Sequence, residues 1–281
     1  MKRLAEEISP GWVREYPEGH VLACGDARDL ALLRRVADPG KRGRVDLLLT
    51  DPPYAVASDN RIELKGRTAL ELNEVWDRVS PEEMRRIIRA TVLAGAKLAS
   101  SGNVWVWTSD WWLSTLKWGL LRAGFRVYPS YIWAKPNPPQ SVRRRCFVSA
   151  CEFLAFASTP GAYFELGVFP RQRNYCVLYP DGETAPAVSP NWVERAVLSS
   201  KERLKRPDGK PLNRAQKPLD LIEAFVRAGA PEGGLVLDPF GGTGTTLVAA
   251  DRSGRRCVCV ERDPEQVRAI ARRLARDRRD R

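Results

Sequence analysis

The stretch 235-LVLDPFGGTGTTLVAA-250 decides how the rest of the chain is read. Leu235, Val236, Leu237 and Asp238 have the pattern of a short buried strand that ends in a carboxylate. Gly241-Gly242-Thr243-Gly244 follows as a turn with little side-chain bulk, and Thr245–Ala250 has the composition of the first turns of a helix. Strand, glycine turn and helix together bring backbone N–H groups and a helix N-terminus up to a ligand. The ligand is not a nucleoside triphosphate, because no Lys-Ser/Thr follows the glycines to neutralise phosphate. The dinucleotide spacing G-x-G-x-x-G is absent too, and Asp238 would repel a pyrophosphate.

An acid before the turn suits a ligand carrying a cationic amine. The next apolar run, Cys257–Val260, ends in Glu261, where a carboxylate accepts hydrogen bonds from both ribose hydroxyls. Amine plus ribose points to S-adenosylmethionine. A glycine-rich turn without function is the competing reading.

The chain has 281 residues, enough for one large α/β domain with an insertion or for two small domains. No run of about 18 apolar residues occurs, and the N-terminal segment MKRLAEEISP lacks an apolar signal region. The expectation is a cytoplasmic protein with no membrane partner. Six cysteines without a C-x-x-C pair, and His20 as the one histidine, argue against zinc and against a histidine general base. The net charge of +12 points to a polyanionic partner, most commonly nucleic acid.

From the N-terminus, residues 1–19 read as a polar lead-in, and His20–Cys24 as a strand. Asp26 then falls either at a ligand-facing strand end or at a helix N-cap before Leu30–Val36. Val45–Leu49 reads as a buried parallel strand running into Asp51-Pro52-Pro53-Tyr54. Two prolines donate no hydrogen bonds and stiffen the backbone. The acid, the free carbonyl of Pro52 and the aromatic face of Tyr54 then make a compact site for an exocyclic amine on a flat ring.

Ser58–Val79 reads as a long loop over that site, and Ser80-Pro81-Glu82-Glu83 as the start of a helix to about Ala99. Gly102–Thr108 is a strand, Asp110–Ala123 a helix, and Phe125–Ala134 and Cys151–Ala157 two further strands. Arg143, Arg144 and Arg145 lie in a proline-rich loop and are candidates for DNA phosphate contacts. Thr159–Gly209, with Tyr163, Phe164, Tyr175, Tyr179, Trp192 and the basic run Lys201–Arg206, reads as an insertion outside the core. Leu219–Ala228 is an amphipathic helix, Arg256–Val260 a strand and Asp263–Arg276 a helix, and the arginine-rich tail beyond it is expected to fray.

This arrangement resembles the β-type amino-group DNA methyltransferases, the family that methylates adenine N6 or cytosine N4. The resemblance rests on DPPY at 51–54 preceding DPFGGTGTT at 238–246, supported by GDARDL at 25–30, WAKPN at 133–137, QKPLDLIEAF at 216–225 and GRRCVCVERDPE at 254–265. It covers roughly residues 20–275 apart from the middle segment. Where the family usually has His-Pro-Thr, this chain has Asn213-Arg214-Ala215.

The resemblance implies an α/β fold. It is a doubly wound, Rossmann-like methyltransferase sheet with permuted motif order: residues 1–157 form its N-terminal part, 158–212 an inserted target-recognition region, and 213–281 the cofactor-binding part. It further implies that Asp238, Phe240, Gly241, Gly242, Thr243, Gly244 and Thr245 hold the methionine end of S-adenosylmethionine. Glu261 would take the ribose, Asp26 the adenine side, and Lys217 would approach the cofactor carboxylate. Asp51, Pro52, Pro53 and Tyr54 would hold a flipped-out base. Double-stranded DNA is the expected partner, with a second copy of the chain and a cognate restriction endonuclease as further candidates. Adenine N6 is favoured over cytosine N4, because Asp before Pro-Pro-Tyr is the more typical adenine pattern of the family. An RNA or protein methyltransferase and an inactive nucleic-acid-binding module are the rival readings.

Overall fold

The computed structural model describes residues 7–54, 62–64, 67–70, 80–138, 149–169, 177–178, 184–185, 190–198 and 202–281. In chain order the elements are β1 (Val13–Glu15), β2 (Val21–Cys24), α1 (Leu30–Ala37), α2 (Pro39–Arg42), β3 (Leu47–Thr50), β4 (Ile62–Leu64) and β5 (Arg67–Leu70). They continue with α3 (Pro81–Leu98), β6 (Asn103–Thr108), α4 (Asp110–Arg122), β7 (Arg126–Val127), β8 (Tyr131–Ala134), β9 (Cys151–Ser158), β10 (Val177–Leu178), β11 (Thr184–Ala185) and β12 (Trp192–Glu194). The last are α5 (Leu219–Gly229), β13 (Leu235–Asp238), α6 (Thr245–Arg252), β14 (Arg256–Glu261) and α7 (Pro264–Asp280).

The main sheet has the order β1-β2-β14-β13-β3-β6-β9-β8-β12. Its centre, β2-β14-β13-β3-β6, is parallel, and β9 runs antiparallel to both β6 and β8. The glycine-loop strand β13 therefore lies beside the DPPY strand β3, with Val236 opposite Leu47 and Leu237 opposite Leu48. The two motifs, almost 190 residues apart in the chain, meet at one end of adjacent strands.

Alternation along the strands builds two cores. Leu22, Leu47, Leu49, Trp105, Trp107, Val236, Cys257 and Cys259 face one side, packed with residues of α5, α6 and α7. Val21, Leu48, Val104, Val106, Leu235, Leu237, Val258 and Val260 face the other, packed with residues of α1, α3 and α4. A parallel sheet buried on both faces explains why these strands read as continuous apolar runs. The result is the doubly wound Rossmann-like architecture.

Helix starts follow the local chemistry. Ser80 accepts a hydrogen bond from Glu83 N at α3, Asp29 one from Leu32 N at α1, and Asp263 one from Glu265 N at α7. The N-cap of α1 is thus Asp29 rather than Asp26, whose carboxylate accepts instead from Arg28 N and Nε.

Several expectations are revised. The lead-in contributes an edge strand, β1, antiparallel to β2. The segment expected as a loop, 58–79, contains the antiparallel pair β4–β5. The single strand expected over Phe125–Ala134 is interrupted around Pro129, which has no N–H to give to the ladder, so β7 and β8 pair with different parts of β9. The segment 158–212 is not wholly outside the core. β12 pairs with β8 in the main sheet, Phe169 is buried, and the Phe164 ring lies 5.3 Å from Phe156 and 5.9 Å from Trp105. Arg143–Arg145, Tyr175 and Tyr179 lie outside the described residues.

The tail does not fray where its composition suggested. α7 continues to Asp280, and Arg278 and Arg281 both pair with the half-buried Asp251 of α6. Asp251 also meets His20 Nε2 at 2.9 Å, while His20 Nδ1 accepts from Cys257 N at 3.0 Å, which assigns the ring proton to Nε2. Burial raises the Asp251 carboxyl, but the bonds from Arg278, His20 and Arg281 outweigh it and bring it down to about 2. A depressed acid stabilises the fold above its unfolded value near 4, and that stabilisation is lost as pH falls toward 2. With its arginine partners partly exposed to solvent, Asp251→Ala is expected to cost about 1 kcal/mol in urea unfolding at pH 7. The cost should shrink toward zero near pH 2.

Candidate active site

The pocket opens at the C-terminal ends of β2, β3, β13 and β14, where open α/β sheets bind ligands. It is lined by Asp26, Thr50–Tyr54, Lys217, Asp238–Thr243, Thr245 and Glu261. Every expected cofactor and catalytic residue lines it except Gly244, which stands behind the loop with φ +73° as the residue before α6. The glycines have a steric reason. A Cβ on Gly241 would lie 2.5 Å from Cys259 Sγ, and one on Gly244 would lie 2.6 Å from Ile270 Cγ2.

On the glycine-loop side, Glu261 Oε2 accepts from Gly242 N at 2.8 Å and Oε1 from Asp263 N at 2.8 Å. Asp238 Oδ1 accepts from Thr50 Oγ1 at 2.7 Å and from Phe240 N at 3.1 Å, which ties the two adjacent strand ends together. Burial pushes both carboxyls up to about 6. At the mouth, Arg28 bridges Asp26 and Glu83 and so joins the β2–α1 turn to the first turn of α3. Asn213, standing in for the family's histidine, caps its own turn by accepting from Ala215 N at 2.8 Å and donates to Gln266 Oε1 at 3.2 Å.

On the other side, Tyr54 donates from its hydroxyl to Asp51 Oδ1 at 2.6 Å. Lys217 has its ammonium on Asp51 Oδ2 and, at 3.0 Å, on Glu152 Oε2, and Lys135 pairs with Glu152 Oε1. The expected place for Lys217 was the cofactor carboxylate, but here its charge is engaged by these two acids. Burial raises the Asp51 carboxyl, against the pull of the Lys217 ammonium. Glu152 is pushed up by burial too, but two lysines bring it down to about 2. Asp51 is therefore the more basic acid of the two.

Sequence reasoning missed Glu152, Lys135, Arg28 and Arg273. The antiparallel β9 begins at the edge where the parallel strands end, with Phe153 opposite Thr108, and this brings Glu152 to Lys217 and Tyr54 of the pocket lining. β8 ends at the same edge and delivers Lys135. A glutamate opening an otherwise apolar strand, CEFLAFAS, was the available signal. Arg273 of α7 is buried under the glycine loop, donating to Thr243 O at 3.0 Å and Thr245 Oγ1 at 2.9 Å. Burial lowers its guanidinium to about 10. Among the described residues no group of His, Cys, Asp and Glu side chains could hold a metal ion, and no helix is long and apolar enough to cross a membrane.

Comparison with known proteins gives this geometry a context. A type II methyltransferase of Streptococcus pneumoniae, M2.DpnII, is 27% identical over 236 residues, 82% of each chain. The structure of M1.HpyAVI bound to SAM superposes with a TM-score of 0.61 at 20% identity, covering 90% of this chain and 98% of that one. The cytosine-N4-specific PvuII DNA methyltransferase gives a TM-score of 0.62 at 18% identity, covering 94% and 90%. The N6/N4 DNA methylase family model matches residues 45–272, from β3 through most of α7, and the chain belongs to that family.

Proposed function

We propose that the protein transfers the methyl group of S-adenosylmethionine to the exocyclic N6 of an adenine flipped out of a specific DNA sequence. The observation that carries this reading is the junction of β3 and β13, where Asp51 and Tyr54 share a pocket with the glycine loop, Asp238 and Glu261.

S-adenosylmethionine supplies an activated methyl on a sulfonium. Glu261 is suited to the ribose hydroxyls, because its carboxylate is already held by two backbone N–H groups. Asp238, Phe240 and residues 241–245 would shape the methionine end, and Asp26 the adenine side. A flipped base costs a few kcal/mol to extrude, and the Tyr54 ring offers it a stacking face. Asp51 and the Pro52 carbonyl would accept the two N–H bonds of the amine and aim its lone pair at the methyl. Positioning would supply most of the acceleration.

The leading Asp51 favours adenine N6, with cytosine N4 as the alternative the same geometry accommodates. Arg143–Arg145 are proposed as phosphate contacts, and the 158–212 segment as the source of target recognition. A second copy and a cognate endonuclease sharing the recognition sequence complete the proposed partners; light scattering of the purified protein checks the first.

Labelled cofactor offered to a mixture of duplex DNA, RNA and protein tests the substrate class. The label is expected in DNA, and label confined to RNA or protein would overturn the reading. Cofactor affinity should also follow pH. With two acids near 6, binding that needs their charge is full above pH 7 and fades below 6. Between pH 7 and pH 5 the dissociation constant is expected to rise about tenfold for one acid and about a hundredfold for both. Calorimetric titration at the two values reads this directly.

A further inference from the structure

Beside Tyr54, a charge-balanced quartet links two acids, Asp51 and Glu152, to two lysines, Lys135 and Lys217, and of these Asp51 and Lys217 line the pocket. Both oxygens of Asp51 are already engaged, Oδ1 by the Tyr54 hydroxyl and Oδ2 by Lys217. Each oxygen keeps a second lone pair, but the Lys217 ammonium competes with a neutral amine for Oδ2, so the amine gains most from Asp51 when the ammonium shifts away. The Tyr54 hydroxyl has one hydrogen and stands 2.6 Å from Asp51 but 3.0 Å from Glu152, so it serves Asp51. An ammonium has three hydrogens and can hold both acids at once.

Lys217 cannot leave for water. Its side chain is 5% exposed, and its Nζ lies 5.4 Å from the Tyr54 ring centre and 5.8 Å from that of Trp107. A buried ammonium that loses its carboxylate is strongly destabilised unless a second acid is in reach.

Resting on the methyltransferase reading above, we propose that Glu152 is a positioning residue. It holds Lys217 as the ammonium shifts away from Asp51 Oδ2 in favour of the target amine. Lys135 fixes the other oxygen of Glu152, so the carboxylate is aimed before the base arrives. The groups that face Lys217 are Asp51 and Tyr54 after β3, Glu152 on β9 and the Trp107 ring on β6. Lys135 after β8 pairs with Glu152, and the Asp238 carboxylate on β13, bonded to Thr50, lies near enough to repel that of Asp51.

The test is Glu152→Gln in the full chain, with kcat, KM for DNA and cofactor affinity measured from pH 6 to 10. Without the second acid, Lys217 stays on Asp51 and competes with the amine. The expected result is a kcat deficit of about tenfold at pH 7.5, with cofactor affinity within about twofold of wild type. The deficit should narrow as pH rises, because a lysine with one acid fewer loses its proton earlier and releases Asp51. Glu152→Asp should restore most of the rate at neutral pH, and adding Lys217→Met to E152Q should raise kcat above that of E152Q alone.

A deficit equal at every pH, a neutral-pH rate equal to wild type, or a further loss in the double variant would each overturn the role of Glu152. If E152Q fails to bind cofactor and is misfolded, the E152D pH profile carries the same test, with a residual deficit that closes at high pH for the proposal and a pH-independent one against it. Absence of transfer by the wild type would sink the methyltransferase reading itself, which a wild-type control in the same series separates from failure of the Glu152 proposal.

Discussion

Asp51→Ala is expected to lower methyl transfer on the order of a thousandfold or more while leaving S-adenosylmethionine affinity within a few fold of wild type. The division follows from the geometry. The acids beside the glycine loop, Asp238 and Glu261, take their hydrogen bonds from Thr50, Phe240, Gly242 and Asp263. Asp51 takes its own from Tyr54 and Lys217. Removing Asp51 leaves Lys217 on Glu152, so the buried ammonium keeps a carboxylate and the pocket keeps its shape. What is lost is the acceptor that turns the lone pair of the amine out of conjugation. Asp51→Asn separates acceptance from charge. Its amide oxygen still accepts one hydrogen bond, so a rate at least about tenfold above the alanine variant is expected if acceptance is the main contribution. Single-turnover kinetics alongside calorimetry checks both; a joint loss of transfer and cofactor binding in the alanine variant would refute the division of roles.

The second large effect is expected at the glycine loop. Gly244→Ala puts a side chain at φ +73°, which costs about 1–2 kcal/mol. It also drives the new Cβ to 2.6 Å from Ile270 Cγ2, which adds about 1–3 kcal/mol of overpacking. Relief by shifting the loop would move Thr243 and Thr245, the residues Arg273 grips from below. Cofactor affinity should therefore fall by more than tenfold along with stability. Gly209→Ala is the comparison. It has φ +80° but open space where the Cβ would go, and it lies outside the pocket lining. It should show the backbone cost of about 1–2 kcal/mol alone, with cofactor affinity unchanged. Urea unfolding and titration of both variants separate strain from clash.

Much of this architecture was legible in the residues. The apolar runs of β3, β13 and β14 and the glycine turn carry local signals. The order of the two motifs in the chain also required β3 and β13 to be neighbours if they were to form one site, and they are. Residues missed in the sequence are those whose role depends on strand direction and distant packing. Glu152 reaches Lys217 because β9 runs antiparallel, which no periodicity reveals. Arg273, Arg278 and Arg281 sit in a run that reads as solvated charge, yet the first grips the glycine loop and the other two hold Asp251. The aromatic and basic segment after β9 looked separate from the core because its turns are rich in Pro and Gly. Phe164, Phe169 and β12 join it to the sheet through contacts with residues distant in sequence.

The central claim is methyl transfer to the exocyclic amine of adenine. The most direct measurement is incubation with labelled S-adenosylmethionine and unmethylated genomic DNA, followed by digestion to nucleosides and mass identification of the labelled one. N6-methyladenine is the result the geometry around Asp51 leads us to expect, and sequencing the modified DNA would then give the recognition site. N4-methylcytosine would keep the fold and the pocket but contradict the assignment of the base. A protein that binds the cofactor and leaves DNA unlabelled would contradict the claim itself.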